Sequence, residues 1–240
     1  MKKTWAIGDI HGCHKELMAL YDKLLKAGLR PKKDVVVFIG DYIDRGPDSK
    51  KVVSQLIKWH KEYPHWVFLY GNHEDIFKNW IDGGQKYEES SQWSCFLSNG
   101  GKETLKSYGL SEPIKTGIPK THIKFLTKET KMMYETDDYV FVHGGLVPKL
   151  PISEQLSNQT YINAILWARE GFINSHHKWG KKVIFGHTPA YNGKWGTFGY
   201  PIVMPNKIGI DGAVCPSANE NLIAVELPNE KFYFQESFIN

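Results

Sequence analysis

Five short glycine-containing segments carry side chains able to bind a metal: Gly8-Asp9-Ile10-His11-Gly12, Gly40-Asp41-Tyr42-Ile43-Asp44-Arg45-Gly46, Gly71-Asn72-His73-Glu74, His143-Gly144-Gly145 and Gly186-His187-Thr188-Pro189. A lone histidine beside a glycine is ordinarily a satisfied polar residue. Five such segments in 240 residues point instead to one shared centre. The candidate ligands Asp9, His11, Asp41, Asn72, His143 and His187 mix carboxylate, imidazole and one amide oxygen, with no thiolate. That mixture suits borderline or hard ions in an open catalytic site, Mn²⁺ first, with Fe or Zn²⁺ as the other candidates. So many donors overfill one ion but divide over two if Asp41 bridges: Asp9, His11 and Asp41 around the first, Asp41, Asn72, His143 and His187 around the second. Two ions about 3.5–4 Å apart suit phosphoester hydrolysis, because they activate a water as hydroxide and neutralise the oxygens of an in-line displacement.

The remaining charged residues supply what that reaction lacks. Arg45 and Arg169 are the planar, bidentate donors expected to clamp a phosphoryl group. His73, next to the ligand Asn72, is the expected general acid for the leaving oxygen. Asp44 is expected to hold its imidazole in the right tautomer and to raise its pKa.

These residues need strands behind them. Thr4 to Gly8, Val35 to Ile39, Trp66 to Tyr70, Tyr139 to Val142 and Val183 to Phe185 are short apolar runs that read as buried strands of an α/β sheet, each delivering one segment at its carboxyl end. Between them, Leu17, Leu20, Tyr21, Leu24 and Leu25 form the stripe of a helix that Gly28 can end, and Val52, Val53, Leu56 and Ile57 a second helix after Pro47-Asp48-Ser49. A further helix is predicted around Tyr161 to Phe172, a short strand at Ile208 to Ile210, and hairpin strands at Leu222 to Leu227 and Lys231 to Gln235. One domain over residues 1–240 is expected, with a helical insertion at about 82–135 where strand runs vanish.

Lys+Arg 30 against Asp+Glu 26 gives a net charge of +4, too slight to argue for a nucleic-acid polymer or a membrane as partner. The apolar N-terminal stretch is too short for a signal sequence and no run approaches a membrane span, so a cytoplasmic location is expected. Cys13, Cys95 and Cys215 are scattered and read as free buried thiols. Cysteine-phosphatase, P-loop and dinucleotide-binding motifs are absent.

In their order, GDIHG, GDYIDRG, GNHE, HGG and GHTP resemble the phosphoprotein phosphatase branch of the calcineurin-like metallophosphoesterases, over about Thr4 to Ile210. The resemblance implies an αββα sandwich of two mixed sheets flanked by helices, with a dinuclear centre at the carboxyl ends of the strands. It implies the ligand division given above, phosphate-binding roles for Arg45 and, through Trp167-x-Arg169, for Arg169, and an acid pair of His73 and Asp44. Where many relatives carry Asp-Thr-Gly, Gly209-Ile210-Asp211-Gly212 lacks the threonine, and Asp211 is left outside the predicted site. No counterpart of the eukaryotic C-terminal tail is recognisable, and no regulatory subunit is implied.

Related enzymes of this kind act on phosphoserine and phosphothreonine in proteins or on dinucleoside tetraphosphates. Asp44 favours the protein phosphatase, since an alkoxide leaving group needs an acid more than a nucleotide phosphate does. Two features speak for a symmetrical diadenosine tetraphosphate hydrolase: the segment Gln92 to Gly109, including Asn99-Gly100-Gly101-Lys102, resembles the insertion of bacterial relatives that include such enzymes, and Tyr191, Trp195, Phe198 and Tyr200 form a loop that could stack a base. Packing of Trp195 and Phe198 on the sandwich is the simpler expectation. A non-catalytic, metal-dependent sensor is the third reading, and the retention of His73 and Arg45 argues against it.

Overall fold

In the strands, alternate side chains serve two different cores. Ala6, Val35, Val37, Ile39, Val67, Ile223 and Val225 pack with Phe141, Ile184 and Ile208 in one cluster. Their neighbours Trp5, Ile7, Val36, Phe38 and Phe68 point the other way into a second. The computed structural model describes residues 2–83, 91–111, 115–190, 194–215 and 220–238. One sheet has the order β10-β9-β1-β2-β3, built from β1 (Thr4–Ile7), β2 (Val35–Phe38), β3 (Val67–Phe68), β9 (Asn221–Leu227) and β10 (Lys231–Glu236). The other has the order β4-β5-β6-β8-β7, from β4 (Met133–Glu135), β5 (Tyr139–Val142), β6 (Lys182–Phe185), β7 (Ile202–Met204) and β8 (Lys207–Gly209). In each sheet three neighbouring strands are parallel, β1-β2-β3 and β5-β6-β8, and the flanking strands run antiparallel.

The first cluster, drawn from both sheets, is the layer between them. Outside the first sheet lie α1 (His14–Lys26), α2 (Ser49–Glu62) and α3 (Asn72–Asp82), which contribute Leu17, Leu20, Leu24, Val52, Leu56, Trp59, Phe77 and Trp80. Outside the second lie α7 (Gln159–Trp167) and α8 (Glu170–Ile173), packing Ile165, Phe172 and Ile173 on Val140, Val142, Val183 and Phe185. The layers therefore run helix, sheet, sheet, helix, as the motif resemblance implies. Strands buried on both faces explain why their sequences show apolar runs rather than alternation.

Several local expectations need correction. The strand expected at Trp66 to Tyr70 is only Val67–Phe68, with Leu69 bridged to Lys131. Residues 82–135 hold α4 (Ser91–Phe96), α5 (Lys102–Ser107) and α6 (Lys120–Lys124), yet close in the edge strand β4, which the lack of an apolar run concealed. Residues 84–90 and 112–114 of that stretch, and Tyr191 of the aromatic loop, lie outside the described residues. Asp48 precedes α2 without capping it; its carboxylate pairs with Lys51 at 2.8 Å. Trp195 donates to Asn174 Oδ1 at 2.7 Å and packs against the outer core of the second sheet, whereas Phe198 stays 39 % exposed. Cys13 and Cys215 are buried but Cys95 is exposed.

Lys207, on β8, is fully buried, and its ammonium donates to the carbonyls of Phe172 (2.7 Å), Ile173 (3.1 Å) and Ser175 (2.7 Å). Its three protons thus meet carbonyls at and just beyond the end of α8, of which Phe172 O also accepts the Ser175 amide at 3.1 Å. Replacing Lys207 by Met strips them of a donor in a site closed to water, and a loss of about 2–4 kcal/mol in chemical denaturation is expected.

Candidate metal centre

All five glycine-containing segments emerge at the carboxyl ends of parallel strands, β1, β2 and β3 in one sheet and β5 and β6 in the other. Backbone bonds tie them to one another. Ile10 and His11 donate to Asp41 O at 3.0 and 2.9 Å, Gly186 to His143 O at 2.8 Å, and His187 N to Asp9 Oδ2 at 2.9 Å. Glu74 accepts from the amides of Asp41, Tyr42 and Gly71 at 2.8, 2.9 and 3.0 Å, fastening the turn after β2 to the start of α3. The loops are tight: a Cβ at Gly71 would fall on the Asp41 carboxylate, and one at Gly186 on that of Asp9. His11, Asp41, Asp44, Arg45 and His187 all have left-handed backbones, with φ of 44, 52, 72, 65 and 64°. Non-glycine residues are held so only where their surroundings force it.

Among the described residues, two groups of side chains lie close enough to share an ion: His11, Asp41 and His73, and Asp41, His143 and His187. His11 Nδ1 lies 2.9 Å from Ile43 O and His143 Nδ1 3.0 Å from Ile39 O. Those carbonyls take the Nδ1 proton, so each Nε2 is turned to the centre, free to bind an ion or, without one, a proton. Asp9 Oδ1 and His187 Nε2 are buried without a partner among the described residues. His143 Nε2 sits 2.8 Å from Asn72 Oδ1, where two acceptors would meet unless a positive charge lies between them. Here a proton can serve: burial opposes it, but the Asp41 carboxylate carries the His143 pKa up to about 9. Burial, followed by the charges of His143 and Arg169, drives His187 down to about 2, leaving a neutral imidazole. Burial and the nearby Asp211 hold the Asp9 carboxyl well above its usual range. For Asp41 burial acts upward too, yet the imidazoles of His143, His73 and His11 outweigh it and hold the carboxyl well below. Orphaned donors and carboxylates crowded with imidazoles fit resident cations.

Beside this cluster, His73 Nδ1 is 2.8 Å from Asp44 Oδ2, both residues being buried. Burial works against a charge on His73, but Asp41 and Asp44 together raise its pKa. Arg45 spans two imidazoles, Nη1 to His11 Nε2 and Nη2 to His73 Nε2, each at 2.9 Å. The predicted helix around Tyr161 to Phe172 breaks at Ala168 and Arg169, freeing the Arg169 guanidinium to donate to His187 O (3.1 Å) and Thr188 Oγ1 (3.2 Å). Both arginines are exposed while Asp9, His11, Asp41, Asn72, His73, His143 and His187 are buried, so guanidinium groups rim a cleft floored by potential ligands. Trp167 stands at the same rim, 43 % exposed and edge-on to His187 at 5.8 Å. A groove of about 680 Å³ leads away from it, lined by Tyr70, Asn79, Gln159 and Asn163 among others.

Every residue expected at the site lies in this region. His73 also stands close to His11 and Asp41, and one Asp9 oxygen is taken by the His187 amide. Sequence reasoning passed over Glu74, although it completes the GNHE segment. It also left out Asp211, which is buried and whose charge acts on Asp9. Thr104 Oγ1 donates to Asp44 Oδ1 at 2.6 Å from 60 residues away, and no local pattern marks it.

Residues 2–215 match the family described as calcineurin-like phosphoesterase. Serine/threonine-protein phosphatase 1 of Salmonella typhimurium is 29% identical over 199 residues, 78% of this chain and 79% of the relative. The symmetrical bis(5'-nucleosyl)-tetraphosphatase of Wigglesworthia glossinidia brevipalpis is 28% identical over 162 residues, 68% of this chain and 52% of the relative. Among solved structures, a protein serine/threonine phosphatase from Saccharomyces cerevisiae superposes with a TM-score of 0.61 at 15% identity, covering 100% of this chain and 81% of its own.

Proposed function

Starting from the calcineurin-like phosphoesterase family, to which this chain belongs, we propose that it is a metal-dependent serine/threonine protein phosphatase. The observation that carries the choice of substrate is the buried 2.8 Å contact between His73 Nδ1 and Asp44 Oδ2. With its Nδ1 proton given to Asp44, His73 turns Nε2 towards the cleft, where it accepts from Arg45 Nη2 at 2.9 Å; once that guanidinium turns to a phosphoryl group, a proton taken up at Nε2 can pass to a departing alkoxide. Serine and threonine leave as poor alkoxides and gain most from such an acid. Asp9, His11 and Asp41 would hold one ion and Asp41, Asn72, His143 and His187 the other, with Mn²⁺ as the native metal. Bound there, the ions would supply Lewis-acid activation of water and neutralise charge on phosphorus oxygens. Arg45 and Arg169, at the rim, bind and orient the phosphoryl group with paired N–H donors. The protein is proposed to work in the cytoplasm, on phosphoproteins, without a regulatory subunit.

One observation favours a second reading. The exposed Trp167 beside His187 offers an aromatic face on which an adenine could stack, as hydrolysis of diadenosine tetraphosphate would use. Metal-stripped protein titrated with Mn²⁺ and assayed on p-nitrophenyl phosphate tests for catalysis, and no turnover at any metal level rejects it. Phosphoserine peptide, phosphotyrosine peptide and diadenosine tetraphosphate are then compared under one metal condition. The phosphoserine peptide is expected to show the highest kcat/KM; a dinucleotide about a hundredfold better would overturn the choice.

A further inference from the structure

We propose that Thr104, on α5, is a positioning residue for the Asp44–His73 pair, so that the helical segment between α3 and β4 takes part in leaving-group protonation; the proposal rests on the acid role given to His73. Thr104 and Ser49 are both completely buried. Proton counting fixes the direction of every bond between them and Asp44. The Asp44 carboxylate can only accept, so Thr104 Oγ1 must give its single proton to Oδ1 at 2.6 Å. Ser49 Oγ, 3.1 Å from Thr104 Oγ1, must then be the donor in that contact. The amide of Asp44 donates to the same two hydroxyls, 2.9 Å to Thr104 and 3.1 Å to Ser49. Oδ2, the other carboxylate oxygen, is left for His73 Nδ1.

The carboxylate is therefore held at both oxygens, and its plane cannot turn without breaking a bond. Charge-assisted bonds of this length are strong. The backbone is clamped from the same side. Asp44 and Arg45 have φ of 72 and 65°, and the Arg45 amide donates to Gly100 O at 3.2 Å, just before α5. Gly100 itself has φ of 97°, and a Cβ there would press into the Arg45 backbone. The strained turn is thus fastened to the helical segment at Gly100 and Thr104, and the acid pair inherits that anchorage.

The test uses the metal-loaded full-length protein and a series of phenyl and alkyl phosphates spanning leaving-group pKa. The slope of log kcat/KM against that pKa is compared for wild type, Thr104→Val, Thr104→Ser and His73→Asn. Thr104→Val keeps the shape of the side chain and removes the hydroxyl. It is expected to lose about tenfold in kcat on alkyl esters and under about threefold on p-nitrophenyl phosphate, with KM nearly constant, steepening the slope in the same sense as His73→Asn. Thr104→Ser, which restores the donor, is expected to return the slope to that of wild type. A residue that merely supports the fold would lower all esters in parallel, and a parallel loss overturns the proposal, as does a serine variant no better than valine. Should Thr104→Val fold poorly, Thr104→Ala removes the same hydroxyl with a different steric change and must steepen the slope alike. A slope changed by His73→Asn but not by the Thr104 variants removes the role of Thr104 alone. A slope unchanged by His73→Asn removes the acid reading and this proposal with it.

Discussion

Asp41→Asn is expected to lower kcat about 10³-fold and to reduce bound metal from two ions per chain to one or none. Asp41 is the one side chain common to both potential ion sites. Its Oδ1 lies 3.3 Å from His143 Nε2 and its Oδ2 3.6 Å from His11 Nε2, so the carboxylate faces both halves of the cluster. The same Oδ1 accepts the His73 amide at 3.0 Å, which sets the first turn of α3. An amide there would bring two donors among imidazoles whose lone pairs need a cation. It would also remove the negative charge that keeps His143 protonated when no ion is bound. Several kcal/mol of charge stabilisation is the usual contribution of such ions, which is the source of the expected factor. Elemental analysis of the purified variant together with its turnover on p-nitrophenyl phosphate checks this. Full metal content with less than a tenfold loss would remove the bridging role.

His73→Asn is expected to separate substrates rather than to depress all of them. With phosphoserine peptide the loss should reach about 10²–10⁴-fold, the usual contribution of a positioned general acid. With p-nitrophenyl phosphate, whose phenolate leaves unaided, it should stay within about tenfold. Part of that smaller loss would come from Arg45, whose Nη2 rests on His73 Nε2 at 2.9 Å and would lose its partner. Equal losses on both substrates would make His73 a phosphate-binding or structural residue.

How far the sequence carries these conclusions varies with the kind of contact. The candidate ligands follow apolar runs directly, and a turn beside a strand end is a local event, so Asp9, His11, Asp41, Asn72, His143 and His187 are legible one segment at a time. The sandwich is less so: nothing within Val35 to Phe38 tells which side of that strand faces a second sheet, and the layering came from the motif resemblance. How the site residues group is harder still, because the distance of His73 from His11 depends on how the loops after β1, β2 and β3 of one sheet fold over one another. Thr104 is the extreme case, since its side-chain partners Asp44 and Ser49 lie 60 and 55 residues away and its own neighbourhood reads as plain helix. Short strands such as β4 and β7 escape notice because three residues at a sheet edge need no pattern of their own.

The left-handed backbones around the cleft also bear on how this protein can be improved. Each such conformation at a non-glycine residue costs on the order of 1–3 kcal/mol, and His11, Asp41, Asp44, Arg45 and His187 share it. Glycine would adopt every one of those conformations without strain. A search for thermostable variants that ignored turnover would therefore drift towards glycine at Arg45, whose side chain is exposed, and not at buried, fully bonded Asp44, enriching proteins that melt later and hydrolyse less.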